Sequence, residues 1–391
     1  PKGSTVFIRR SLVTFQFLTA QVLIIGAIVV VKQMHYINSK PLGFQKEQIV
    51  DIALPGNKQE QLESFRSKLN SIPGIANFSY SLGAPISDNG FGADFNRKEK
   101  YTAERLNVEV KVADKAYQET YGLHLVAGRW FTESDERKVD RLIPDSLRQY
   151  SVVINETAVK SLGFVNPEDA LGHLVTFSLN SISAPVIGVM KDYHVASLHA
   201  PVSPVLMVPY PFFYYNAGIK LSTASSGTTL TAIEKAFSEV YPNDLFEANF
   251  LDEHIAKQYK EEKRTVQLLN LFTLVSILIN ALGLIGLLSF MIQQKTKEIG
   301  IRKVLGATVS DISFILSKDF LQLIGIAFVI AVPFAWYLMN KWLEDFAYRT
   351  TVSWWVFGLA GMAAILVTCI AVGFQTLKAS RANPVKSLRS E

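Results

Sequence analysis

The sequence predicts an α-helical membrane protein with four transmembrane helices and a large α+β extracytoplasmic domain of two subdomains. Three observations carry that prediction. The 391 residues are 49% hydrophobic and 19% charged, and the apolar residues concentrate in four uncharged stretches, 11–31, 265–294, 320–340 and 350–377. Each stretch can cross a hydrocarbon core of about 30 Å as a helix rising about 1.5 Å per residue. More than two hundred residues of ordinary polar composition separate the first stretch from the second, and the basic excess borders the apolar runs. A purely cytosolic enzyme is thereby excluded.

Segment 1–10 carries Lys2, Arg9 and Arg10 ahead of the first span. Together with 295–319 and 378–391 it holds 12 Lys/Arg against 4 Asp/Glu, whereas 32–264 holds 25 against 28. Basic residues flanking spans stay on the cytoplasmic side. The N-terminus is therefore expected inside, the first span (11–31) outward, the domain 32–264 outside, and the second span (265–294) inward to a cytoplasmic loop, 295–319. Spans 320–340 and 350–377 then form an outward hairpin around the loop 341–349, which leaves the tail 378–391 inside. The first span is not read as a signal peptide, because its 21 apolar residues exceed an h-region and no small-residue cleavage site precedes Lys32. The net charge of +5 is membrane-flanking and does not indicate nucleic acid. The single cysteine, Cys369, lies in the fourth stretch and excludes a disulfide framework or a Cys-based zinc site.

Within the outer domain, 48–54 reads as a strand, and 59–69, with Leu62, Phe65 and Leu69 at helical spacing, as a helix stopped by Pro73 and Gly74. A strand over 76–82 completes a β-α-β unit. Strands are predicted at 107–112, 151–154, 173–179, 185–190 and 205–208, with Asn155 as the N-cap of a helix ending near Gly163. A last β-α-β unit covers 219–222, 230–240 and 246–250. One subdomain is thus assembled from 46–116 and 205–250, with 117–204 inserted as the second. The stretches 87–100 and 133–148 read as surface loops. His194 and His199 near Asp192 suggest a metal, but no third ligand joins them. No phosphate-cradling glycine loop or nucleophile elbow occurs, so no catalytic residues and no metal are predicted and the chain is not expected to be an enzyme.

Residues 252–264 contain no Pro or Gly, pair Glu253 with Lys257 at i, i+4, and continue through Lys260 and Arg264 toward the second span. They are expected to form one stalk helix running unbroken into the membrane. At the other end of that span lies a compact basic motif: Lys297, Glu298, Ile299, Gly300, Ile301, Arg302, Lys303, Gly306 and Ala307. Charge bias alone would accept any Lys/Arg order, whereas here the basic residues alternate with apolar ones and glycines. Thr308 or Ser310 is expected to cap a helix lying along the membrane surface before the third span. Pro333 is expected to kink that span. Ala327 with Ala331, and Ala360 with Ala364, are small-residue pairs that permit close helix approach, including approach by a second unit. Trp336, Trp342, Trp354 and Trp355 read as an interfacial belt, and the absence of charged residues from the spans argues against a proton or ion relay.

The run 297–307, KEIGIRKVLGA, resembles the signature of the FtsX-like permease family, the transmembrane subunits of MacB-type ABC transporters. The plan of one span, a large domain and three further spans is that family's plan, and the ending ASRANPVKSLR resembles its usual tail. The resemblance implies a coupling helix in 295–319 that docks on a separate ATPase, with 297–303, 306 and 307 as the coupling residues. It implies an outer domain of Porter (46–116 and 205–250) and Sabre-like (117–204) lobes, and ATP and Mg bound by the partner and not by this chain. It further implies pairing with a second permease unit, a place for a periplasmic adaptor and an outer-membrane factor, and an inner-membrane location with the large domain in the periplasm. Relatives export macrolides and peptides, extract lipoproteins or switch on cell-wall hydrolases. No P-loop occurs in this sequence, and Larger members fuse two such units, so the opening at Pro1 leads to the expectation of one half of a longer permease. Two functions stay open at this point: a mechanotransmitting permease subunit, and a membrane-anchored sensor or scaffold activating a cell-wall hydrolase.

Overall fold

The computed structural model describes residues 2–87, 89–97, 106–177, 182–196, 198, 200–222, 226–258, 260–294 and 308–380. It divides into two compact units, one made of Pro1–Ser39 with Glu261–Glu391 and the other of Lys40–Lys260.

The membrane unit holds four long helices: α1 (Lys2–Ser39), α8 (Lys260–Gln294), α9 (Val309–Leu343) and α10 (Trp354–Ser380). All four are long and apolar enough to cross a membrane. Ala327, Ala331 and Ala335 on α9 and Ala360 on α10 are completely buried. Ala335 and Ala360 lie in one cluster with Ile25 and Val29 of α1, while Ala327 and Ala364 join Val13, Phe17 and Leu284 in another. The small residues expected to offer a surface to a second unit therefore pack inside this one. Their lack of side-chain bulk is used to bring α9 and α10 close to α1.

Two expectations for these helices are corrected. The helix that starts at Val309 continues without a break through residue 320 to Leu343, so no separate surface helix precedes the third span. No Pro or Gly occurs between Val309 and Leu321 to interrupt the backbone ladder. The fourth helix begins at Trp354, not at residue 350, because 348–353 form an irregular segment tied to α1. Lys32 donates to the Thr351 carbonyl and the Ser353 hydroxyl, both at 2.9 Å. Gln33 donates to the Tyr348 carbonyl at 2.7 Å and accepts from the Thr350 N–H at 2.8 Å.

The outer unit contains two sheets. The first comprises β1 (Ile49–Ala53), β2 (Ile75–Ser81), β10 (Asn216–Leu221) and β11 (Ala248–Phe250) in the order β11-β1-β10-β2, all neighbours antiparallel. Helix α2 (Gln59–Asn70) links β1 to β2, and α6 (Ser226–Val240) links β10 to β11. Two β-α-β units are interleaved so that each places a strand between those of the other, a split β-α-β arrangement. The helices cover one face through Leu62, Phe65 and Leu69 of α2 and Ile233 and Phe237 of α6, with Phe65 and Phe237 edge to face at 6.0 Å.

The second sheet has seven strands in the order β5-β8-β6-β9-β4-β3-β7. They are β3 (Phe91–Arg97), β4 (Leu106–Val112), β5 (Leu125–Gly128), β6 (Val152–Asn155), β7 (Leu174–Phe177), β8 (Ile182–Met190) and β9 (Val205–Val208). The first half of β8 pairs with β7 and the second half with β6 and β5, so six strands close into a small barrel with β5 outside it. Closure removes open strand edges from the ring. One continuous apolar core fills both sheets.

Three readings of this domain differ from the structure. The stretch expected as a loop over 87–100 contains β3, whose Ala93 and Phe95 are buried at alternate positions beside a half-buried Phe91. The stretch 133–148 contains a short helix, α4 (Glu133–Arg137), begun by a capping box in which Thr132 and Asp135 bond reciprocally. Strands at 106–112 and 205–208, grouped with the first subdomain, belong to the barrel. They pair parallel to each other from Glu109 with Val205 to Val112 with Val208, a long-range partnership with no local signature.

Candidate functional site

The predicted coupling residues Lys297, Glu298, Ile299, Gly300, Ile301, Arg302, Lys303, Gly306 and Ala307 lie outside the described residues. So do His199 and Tyr259. The stalk residues are described in two helices: Glu253 and Lys257 belong to α7 (Leu251–Gln258) in the outer unit, and Lys260 and Arg264 to α8.

Helix α7 is held by its apolar face. Leu251 and Ile255, four residues apart, are buried, while Glu253 and Lys257 are exposed. The helix directly follows β11, whose partner is β1. On β1 the half-buried Asp51 accepts from the Tyr121 hydroxyl at 2.7 Å and from the Asn216 side-chain amide at 3.0 Å. Burial raises the Asp51 pKa, with Asn216, Tyr121 and the more distant His254 of α7 opposing the rise. Tyr121 closes the five-residue helix α3 (Tyr117–Tyr121), which Gly122 ends in the left-handed conformation at φ 63°. A polar chain thus joins α3, β1 and β10 beneath the start of the stalk.

A cleft of about 300 Å³ opens where α2 and β2 meet α4 and the segment 211–214. Behind its lining residues Arg66 and Tyr80, the buried Asp114 accepts from the Tyr80 N–H at 2.9 Å, the Ala116 N–H at 3.0 Å and the Arg66 guanidinium at 3.3 Å. The Asp114 N–H returns a bond to the Tyr80 carbonyl at 3.0 Å. Arg66 also lies over the Tyr80 ring, 4.9 Å from its centroid. Burial is the main influence on Asp114 and, with Glu136 nearby, pushes its pKa up to about 7 against the pull of Arg66. Glu136 accepts from the Lys115 N–H at 2.7 Å and is itself raised by burial. This cleft escapes a reading of sequence, because Arg66 and Asp114 are 48 positions apart and neither belongs to a motif.

A further carboxylate held by several donors is Asp135. It accepts both guanidinium nitrogens of Arg129, at 2.6 and 3.1 Å, together with the N–H (2.9 Å) and hydroxyl (2.7 Å) of Thr132. Although burial opposes it, these four donors hold Asp135 well below the usual carboxylate range. Among the described residues no cluster of three or more His, Cys, Asp and Glu side chains could hold a metal ion. His194 is buried and its backbone N–H donates to the Leu42 carbonyl at 2.9 Å, while Asp192 caps α5 (Glu156–Ser161) through Thr157 at 2.8 and 2.9 Å. These are structural roles.

Comparison with known proteins bears on both units. Residues 17–240 match the family model described as MacB-like periplasmic core domain, and residues 270–384 the one described as FtsX-like permease C-terminal. The macrolide export ATP-binding/permease protein MacB of Escherichia coli is 26% identical over 254 residues, 61% of this chain and 38% of that protein. The uncharacterized ABC transporter permease YknZ of Bacillus subtilis (strain 168) is 23% identical over 306 residues, 75% of this chain and 73% of that one. The chain spans less than half the length of the macrolide export relatives it matches. Among solved structures, the periplasmic region of MacB from Actinobacillus actinomycetemcomitans is 17% identical, covering 59% of this chain and 98% of that chain with a TM-score of 0.38.

Proposed function

The chain belongs to the family of FtsX-like permeases that carry a MacB-like periplasmic core domain, and from that premise we propose that it is the transmembrane subunit of an ABC transporter acting in export. In this reading a separate cytoplasmic ATPase, which holds ATP and Mg, docks on 297–307. Its conformational cycle is passed through α8 and α7 to the outer domain, so that hydrolysis moves the outer lobes of a paired complex without substrate crossing the spans. The single observation that carries the reading is the joint match of 17–240 and 270–384 to one outer unit and four membrane-capable helices. The candidate coupling residues fall inside the second matched stretch. The seating of Leu251 and Ile255 in the outer unit supports α7 as a firm grip on that unit, as force transmission requires.

The same reading puts both termini in the cytoplasm and the outer domain in the periplasm. It leaves an adaptor and an outer-membrane factor as further partners, and an antimicrobial, peptide or lipoprotein as cargo. The test is Arg302→Glu in the full chain co-expressed with its candidate ATPase. The ATPase is expected to co-purify with the native chain and to be lost from the variant, whose membrane insertion and elution profile stay native. Undiminished co-purification with Arg302→Glu would contradict the docking role.

A further inference from the structure

A groove of about 510 Å³ lies between α1 and α9, at the end of the membrane unit where their candidate spans, Arg10–Ile37 and Phe320–Leu343, begin. Its mouth is polar, with Arg10, Ser11 and Thr14 on α1 and Gln322 on α9. Its deeper walls are apolar, formed by Phe15 and Leu18 on α1 and by Leu323 and Ile326 on α9. From Arg10 to Leu18 the helix rises about 12 Å, so the groove descends from the edge of the hydrocarbon into it. Arg10 is exposed and has no carboxylate partner among the described residues. None of the lining residues is acidic, and no Asp or Glu precedes Glu47 in the sequence. Gln322 is likewise without a hydrogen-bond partner among the described residues. The Thr14 hydroxyl donates to the Arg10 carbonyl at 2.9 Å, which leaves its oxygen able to accept.

An unpaired cation at the lip of an apolar groove calls for an occupant that is anionic at one end and apolar along the rest. A soluble anion would meet Arg10 and leave the walls idle, and a plain hydrocarbon would fill the walls and leave Arg10 unpaired. A phospholipid meets both requirements, because a guanidinium pairs bidentately with phosphate oxygens and basic pockets between membrane helices hold anionic headgroups. The mouth also discriminates between headgroups. It has no carboxylate to receive an ammonium, whereas headgroup hydroxyls find partners in Ser11, Thr14 and Gln322. We propose that this groove binds one anionic phospholipid with a hydroxylated headgroup, its phosphate on Arg10 and one acyl chain along Leu18, Leu323 and Ile326. The bound lipid would bridge the first span to the third. The inference needs the four helices to lie in a bilayer and is independent of any ATPase partner.

The experiment is native mass spectrometry of the full chain, released from detergent with equimolar dioleoyl phosphatidylglycerol and dioleoyl phosphatidylethanolamine. The first phosphatidylglycerol is expected to bind at least fivefold more tightly than the first phosphatidylethanolamine. Arg10→Gln should bring that ratio below two. So should Ile326→Trp, which fills the groove at a position 52% exposed without changing any charge. Lys341→Gln, in the last turn of α9, should leave the ratio unchanged. Should Arg10→Gln insert poorly, Ile326→Trp decides alone. Equal binding of the two lipids overturns the proposal. A preference that survives Ile326→Trp, or one lost in Lys341→Gln, also overturns it, since either marks diffuse attraction to basic residues and not a seated lipid. Displacement of the phosphatidylglycerol by an equal concentration of glycerol 3-phosphate would do the same, because the apolar walls would then contribute nothing.

Discussion

Arg66 on α2 reaches the fully buried Asp114 at 3.3 Å and thereby ties the split β-α-β lobe to the barrel lobe of the outer unit. The carboxylate is also bonded to the Tyr80 N–H on β2, so its charge state bears on the junction of the two sheets. A carboxylate raised from its ordinary value of 3.8 to about 7 favours the folded state in its protonated form. That contribution is complete below the unfolded pKa of about 4 and is lost as pH rises through about 7. Between pH 4 and 7 the melting temperature should therefore carry a falling component from this site. Asp114→Asn should make that slope shallower, read by thermal denaturation at a series of pH values.

Asp135 works in the opposite sense. Its pKa is held low by Arg129 and Thr132, so its contribution is present above the ordinary carboxylate range and disappears as pH falls through its folded value. Asp135→Asn removes the charge from a bidentate pair and breaks the capping box of α4. A loss of about 2 kcal/mol is expected at neutral pH, seen as a lower melting temperature. A variant as stable as the native chain would exclude this role.

Gly218 on β10 faces the Tyr121 ring so closely that an added Cβ would collide with its hydroxyl. Gly218→Ala should displace Tyr121 from Asp51 and leave a half-buried carboxylate short of one donor. A cost of about 2–3 kcal/mol follows from overpacking and the broken bond together. Tyr121→Phe, which removes only the hydroxyl, should cost less, and the two variants separate collision from hydrogen bonding.

In the membrane unit, Gln33 both donates to Tyr348 and accepts from Thr350. Gln33→Ala should free the turn before α10, with amide exchange at Thr350 accelerating by about tenfold for about 1.4 kcal/mol lost. Exchange at Ala360, deep in α10, should not change.

Local chemistry made much of the fold legible. Asn155 is an N-cap as its position before an apolar-periodic run suggested, accepting from the Ala158 N–H at 3.0 Å. The Leu62, Phe65, Leu69 spacing became the buried face of α2, and the four uncharged runs became the four long helices. What stayed hidden depends on partners far away in sequence. The 91–97 strand carries its alternation between glycines and charges that resemble a loop, and only pairing with β4 and β7 reveals it. The parallel pairing of Val112 with Val208 moves two strands from one lobe to the other without changing any residue's local preference. The cleft beside Asp114 is hidden for the same reason, since its charges come from three separate segments.

The central claim is that nucleotide events at the ATPase move the outer unit. Spin labels at Val165→Cys, an exposed site in the outer unit, and Met362→Cys, an exposed site on α10, in a Cys369→Ser background report the distance between the two units. The full complex with its ATPase should show a different distance distribution when trapped with ATP than when nucleotide-free, and Arg302→Glu should abolish the difference. Superimposable distributions in the native complex, at full ATP turnover, would contradict it.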